Sequence, residues 1–165
     1  MIKIYVDGSS RGTGDNKCGG WGVVIMTERH GLLSVDYRTK QTNAETTNNR
    51  EEMKALLTAL ELATGLYKDE EVEIYCDSAY CVNMFNEWIH TWSCNNWCNS
   101  KGVTAKNLDL VLLLYKYAAI GFPNFIVKKV KGHNGDIGNE IADALATDDS
   151  KKLQLILSKN KIELL

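Results

Sequence analysis

TTNNREEMKALLTALELA, residues 46–63, is the first stretch of the chain with a helical period, and it divides two differently organised halves. Turned at about 100° per residue, Met53, Leu56, Ala59, Leu60 and Ala63 gather on one side. Glu52 falls about 40° from Leu56, inside the apolar stripe. Glu51 falls about 140° away and shares a face with Lys54, Thr58 and Glu61. Glu51 therefore reads as a solvent-facing acid that completes a capping-box variant with Asn48 and suits the helix dipole. That reading explains Glu52 less well. An ionised carboxylate on a buried stripe costs free energy unless a cation meets it, and the position one turn on is Leu56. Its charge must be compensated from elsewhere in the fold or by a metal.

Upstream of this helix, IKIYV (2–6), GWGVVIMTE (20–28) and LLSVDYRTK (32–40) are β-rich runs joined by short connections, which predicts an antiparallel meander. Downstream, strand and helix alternate: a strand over 71–76, helices over 78 to about 90 and about 104–119, the strand FIVKKV (125–130), and a helix from Ile137. Alternation implies parallel pairing through crossovers. The expected fold class is α/β, a mixed five-stranded sheet of three antiparallel and two parallel strands with helices on both faces. Its functional end is the carboxyl end of the strands. The glycine-dense RGTGDNKCGGWG (11–22) contains GxG without GxGxxG and leads into a strand, so it is no dinucleotide fingerprint. Its glycines read as serving tight turns.

The 165 residues suit one domain. Hydrophobic content of 44% with 24% charged residues is that of an ordinary globular protein. No apolar run is long enough to span a bilayer, and the opening MIKIYVDGSS lacks a signal-peptide core. The five cysteines are odd in number, scattered and without a CxxC pair, which predicts reduced thiols and a cytoplasmic location. His90, Cys94 and Cys98 fall at i, i+4, i+8, but a fourth zinc ligand is not visible. The net charge of −2 taken alone argues against a nucleic-acid partner.

Asp7 closes the first strand run and Asp77 the fourth, with Glu52 near the start of the first helix. Each has a bland reading: Asp7-Gly8 as a turn pair, Asp77 as the cap of the next helix. Together they converge on one end of one sheet, where a divalent cation would resolve their repulsion. Oxygen-only ligands suit Mg²⁺ or Mn²⁺.

YVDGSS with GGWGVV downstream, TTNNREE, YCDSAYCVN, WIHTW, KNLDLV and VKGHNGDIGNEIADALA, in this order and spacing, resemble the type 1 ribonuclease H family. The resemblance covers residues 1–147, read as the catalytic domain, and leaves 148–165 as a tail that could form a hairpin, a partner-binding segment or a helix. It implies the ribonuclease H-like fold and hydrolysis of the RNA strand of an RNA–DNA hybrid, leaving 5′-phosphate and 3′-hydroxyl ends. Asp7, Glu52, Asp77 and Asp143 are implied as ligands of two Mg²⁺ ions, with Mn²⁺ as a substitute. Asp143 rests on the resemblance alone, since it lies opposite the Ile137–Ile141–Leu145 stripe. His133, in the KGHNG loop, is implied to assist proton transfer or product release. Ser10, Thr47, Asn48 and Asn49 are implied as substrate contacts, Asn49 near the RNA and Thr47 and Asn48 nearer the DNA phosphate. The protein is expected to be a monomer without membrane association. Metal neutralisation of four acids would turn the charge balance positive, and Lys128, Lys129 and Lys131 add a local basic surface.

Two departures stand out. Ala79 occupies a place where relatives carry an amide. Residues 83–100, where relatives carry a basic protrusion, have no Lys or Arg, and their tryptophans read as packing. A hybrid-binding module that no longer cleaves, or a resolvase or integrase in the same superfold, are the competing functions. The four acids with His133 weigh against the first, and TTNN with KGHNG against the second.

Overall fold

A computed structural model of the chain describes residues 1–130, 136–162 and 164. The first three strands are β1 (Ile2–Arg11), β2 (Cys18–Arg29) and β3 (Leu32–Thr42), followed by α1 (Asn48–Thr64) and β4 (Val72–Cys76). A bent helical segment follows: α2 (Ala79–Asn83), a π-helical turn over Met84–Trp88, and α3 (Ile89–Ser93). Then come α4 (Leu108–Ala118), β5 (Phe125–Lys129), α5 (Ile137–Ala146) and α6 (Ser150–Asn160).

The strands form one sheet in the order β3-β2-β1-β4-β5. β1 pairs antiparallel with β2, and β2 with β3, while β1–β4 and β4–β5 are parallel. This is the expected mixed sheet. Alternate residues of the central strands feed two cores. Ile2, Ile4 and Val6 of β1 pack with α1, α2 and α4 on one face. Tyr5 of β1 and Val24 of β2 pack with Ile141 and Leu145 of α5 and Ile156 and Leu157 of α6 on the other.

The first two strands run past their apolar stretches. Gly8 pairs with Trp21, Ser9 with Gly20, Ser10 with Gly19 and Arg11 with Cys18, so part of the segment expected to be a loop is ladder. Gly12, left-handed at φ 84°, serves the connection as expected, whereas Gly8, Gly19 and Gly22 act by absence of a side chain. A Cβ on Gly8 would lie 2.2 Å from Glu52 N, and one on Gly22 2.6 Å from Ala142 O. Gly8 admits α1 to the sheet from one side, and Gly22 admits α5 from the other.

The π turn carries Met84 and Phe85 into the core together with Ile89. It also re-phases the helix, as an extra residue per turn must. Trp88 packs between Tyr80 and Trp92, with ring centroids at 5.5 and 6.1 Å, and Trp97 meets Tyr115 edge-on at 5.1 Å. These tryptophans pack against the core, as their spacing predicts.

The tail is a helix. Leu153, Leu155 and Leu157 alternate as a strand would, but Leu155 is exposed, and Leu153, Ile156 and Leu157 make the packed face. The i, i+3, i+4 set prevails because Asp149 caps the helix and α5 offers an apolar surface. Beyond it, Leu164 forms a parallel bridge to Val35 of β3.

Candidate active site

The parallel ladder between β1 and β4 ends at the pair Val6–Cys76. Asp7 and Asp77 are the next residue on each strand. Asp77 therefore stands at the carboxyl end of β4, as expected. Asp7 does not end its strand, because β2 continues to pair with β1 as far as Arg11. It sits instead where β1 loses its parallel neighbour. Capping does not account for Asp77. The residue whose side chain caps α2 is Ser78, which accepts from Cys81 N at 3.2 Å.

Glu52 is brought over Asp7 by the close passage of α1 across Gly8. Both are buried, at 8% and 7% exposure, and neither has an ion-pair partner among the described residues. Gly8 N donates to Asp7 Oδ1 at 2.9 Å, and Cys76 Sγ lies 3.7 Å from Glu52 Oε2 as its donor. Burial is the chief cause that raises both carboxyls above their ordinary range. Their shared hydrogen bond adds to the rise at Glu52 and offsets part of it at Asp7.

Asp143 reaches the same place from α5. Its carboxyl is within hydrogen-bonding reach of Asp7 and raises Asp7 further. The carboxyl-terminal turn of α5 is held by donors from the sheet: Ser9 Oγ and Arg11 Nη1 to Ala146 O at 3.1 and 2.9 Å, and Gln41 Nε2 to Leu145 O at 3.0 Å. α5 is buried nearly all round, at Gly138, Ile141, Ala142, Ala144, Leu145 and Ala146. Asp143 itself stays partly exposed, on the side away from the Ile137–Ile141–Leu145 stripe. Asp143 also pairs with Lys152 of α6, which the residue pattern did not single out.

Glu51 requires correction. It is fully buried, not solvent-facing, and Asn48 is not the cap. Thr47 caps α1 by accepting from Arg50 N at 3.2 Å. Glu51 Oε1 accepts from Thr46 Oγ1 at 2.8 Å and Lys54 Nζ at 3.0 Å, while Oε2 has no hydrogen-bond partner. The cause is again a glycine. A Cβ on Gly19 would lie 2.6 Å from Thr46 Cγ2 and 3.1 Å from Glu51 Cγ, so β2 covers the flank of α1 that helical phase alone assigns to water.

Of the substrate-contact residues, Ser10 and Asn48 meet directly. Asn48 Oδ1 accepts from Ser10 N at 2.6 Å and from Ser10 Oγ at 3.1 Å. Thr47 and Asn49 are exposed beside them. Arg50, also not singled out in the sequence, donates to both carboxylate oxygens of Asp109, at 3.0 and 2.9 Å, and to Asn107 Oδ1 at 3.2 Å. It ties the start of α1 to the start of α4. His133 and Lys131 lie outside the described residues.

Among the described residues no three His, Cys, Asp or Glu side chains form a ready-made metal cage. The donor set nonetheless fits a hard divalent cation. Asp7 and Glu52 are buried acids without a cation, and Asp77 and Asp143 flank them with oxygen donors on an accessible edge.

Comparison with known proteins gives the same direction. Over 161 residues the chain is 38% identical to a ribonuclease H of Orientia tsutsugamushi (strain Boryong), covering 97% of this chain and 88% of that one. It superposes on the crystal structure of LC9-RNase H1, described as a type 1 RNase H with the type 2 active-site motif. The TM-score is 0.74 at 28% identity, over 91% of this chain and 72% of that one. With LC11-RNase H1 in complex with an RNA/DNA hybrid the TM-score is 0.55 at 25% identity, over 93% and 99% of the two chains. The family model for RNase H matches residues 1–151, and the chain belongs to the RNase H family.

Proposed function

We propose that this chain hydrolyses the RNA strand of RNA–DNA hybrids at internal positions, leaving 5′-phosphate and 3′-hydroxyl ends. The observation that carries the reading is the pairing of two buried acids, Asp7 and Glu52, without a cation among the described residues, at the rung where the β1–β4 ladder stops beside Asp77. Asp7, Glu52, Asp77 and Asp143 would hold two Mg²⁺ ions, with Mn²⁺ as a substitute. Bound there, the ions supply activation of a water against the scissile phosphorus and stabilisation of the departing 3′ oxygen.

The residues of the chain do the rest. The rigid sheet and the close helices hold the carboxylates in place, so little reorganisation accompanies the reaction. Ser10 and Asn48, joined by hydrogen bonds, form one polar surface with Thr47 and Asn49. Such hydroxyl and amide groups are suited to the 2′-hydroxyls of one strand and the phosphates of the other. LC11-RNase H1, a structural relative, has been captured with an RNA/DNA hybrid, which supports this substrate class. His133 would carry a proton at the leaving or attacking oxygen. Residues 1–147 would form the catalytic domain of a cytoplasmic monomer. No helix among the described residues is long and apolar enough to cross a membrane.

The test is a cleavage assay in Mg²⁺ on matched RNA–DNA hybrid, double-stranded RNA and double-stranded DNA. Cleavage confined to the RNA of the hybrid is expected, and equal cleavage of the duplex DNA would refute the assignment. His133→Ala is expected to lose about 10²–10⁴-fold in rate, the usual worth of a proton-transfer group. Its metal affinity, measured by calorimetry, should be unchanged.

A further inference from the structure

Asp7 interacts with both Glu52 and Asp143, yet among the described residues only Asp143 of the three carries a cation. Asp143 Oδ2 is paired with the Nζ of Lys152, while Asp7 and Glu52 have no ion pair among the described residues. Lys152 comes from outside the part of the chain that the RNase H family model matches, which ends at residue 151. The ion pair is thus a feature of this chain's last helix.

Lys152 is held in place by more than its own charge. It stands in the first turn of α6, where its backbone N donates to the Asp149 cap at 3.0 Å. The turn into α6 is tight: Asp148 is left-handed at φ 54°, and Asp149 N donates to Ala144 O at 2.9 Å. Thr147 Oγ1 donates to Asp143 O at 2.8 Å, tying the same turn to the residue Lys152 faces. Farther along, Ile156 and Leu157 anchor α6 in the core shared with α5, and Leu164 bridges to β3. The ammonium is therefore delivered to Asp143 by packed structure on both sides.

We propose that Lys152 is an internal cation that competes with the divalent metal for Asp143, so that α6 sets the metal concentration at which the site fills. The inference rests on the metal-binding reading of the four acids. A divalent ion that uses Asp143 must displace the ammonium or sit beside a like charge. Either raises the metal concentration required. Both side chains of the pair are 40% exposed, so solvent limits the effect to about two- to fivefold in metal affinity, the worth of an exposed ion pair.

The experiment is calorimetric titration of the substrate-free protein with Mg²⁺ and with Mn²⁺. Wild type is compared with Lys152→Met, Lys152→Arg, Lys151→Met and Asp7→Asn. Lys152→Met is expected to bind about two- to fivefold more tightly. Lys152→Arg should stay near wild type. Lys151→Met makes the same change of net charge at the exposed neighbouring position and should also stay near wild type. Unchanged affinity in Lys152→Met, or an equal gain in Lys151→Met, overturns the competition while leaving the metal site intact. A wild type that binds no metal, or binds it as well after Asp7→Asn, overturns the metal reading and this inference with it.

Discussion

Glu51 and Glu52 are chain neighbours, both buried, and they have opposite surroundings. Glu51 lies under β2 with Thr46 and Lys54 as partners, so most of its charge is met locally. Glu52 lies over β1 against another acid, Asp7, with the Cys76 thiol 3.7 Å away as a donor. Burial is common to both and so does not mark the functional residue. The marker is what the surrounding structure supplies: a cation and a hydroxyl in one case, a second negative charge in the other. A buried acid paired with an acid is a cost that folding alone does not explain, and under the proposed metal-binding role a divalent ion would offset it.

The comparison breaks first at the level of activity. Asp7→Asn, Glu52→Gln and Asp77→Asn should each reduce hybrid cleavage by more than the roughly 10²–10⁴-fold supplied by a proton-transfer group. Circular dichroism should show the fold retained. Near-native cleavage by any of the three would end the distinction drawn between the two glutamates.

Gly8→Ala strikes both sides of the comparison at once. Its Cβ would meet Glu52 N at 2.2 Å and Glu51 C at 2.3 Å, both of them backbone atoms that cannot swing away. Overpacking of this kind costs about 1–3 kcal/mol, and displacing Glu52 should lower the cleavage rate as well. Denaturant unfolding and the hybrid assay measure the two effects, and an unaltered Gly8→Ala enzyme would show that α1 is free to move away from β1.

Glu51→Gln separates the neighbours. It keeps the shape but removes the charge that Lys54 meets, so a loss of about 1–2 kcal/mol of stability is expected with cleavage close to wild type. A loss of activity without a loss of stability would transfer the functional role to Glu51.

The last effect appears in metal-free protein. Burial pushes Asp7 up to about 6, above its unfolded value. A carboxyl raised in the fold is neutral in both states at low pH and destabilises the fold as pH rises through its folded value. Asp7→Asn should therefore be more stable than wild type by up to about 3 kcal/mol at pH 8, and by little at pH 4. Thermal unfolding in chelator measures this. An Asp7→Asn protein less stable than wild type at pH 8 would mean that the Asp7 charge is compensated after all.

Much of this was legible in one dimension. The three early strands, the helix after them and the later alternation of strand and helix follow from local periodicity and turn residues, and the sheet has the mixed order they imply. Glu52 was legible because a single helix has a single phase and Glu52 falls inside its apolar stripe. The burial of Glu51 was not, because helical phase describes a helix covered from one side. β2 reaches a second side across Gly19. The glycines of residues 19–22 carried that information, but a glycine looks the same in a sequence whether it serves a turn or a close approach.

By itself, then, the sequence determined the elements ahead of residue 148 in outline, their order and the candidacy of Asp7, Glu52 and Asp77, since each depends on residues a few positions apart. The tertiary structure decided where β1 outruns its parallel neighbour, how α5 brings Asp143 to Asp7, and that α6 sets Lys152 against it. Those are contacts between elements far apart in the chain. They depend on backbone separation and packing across the sheet, which no local spacing of residues encodes.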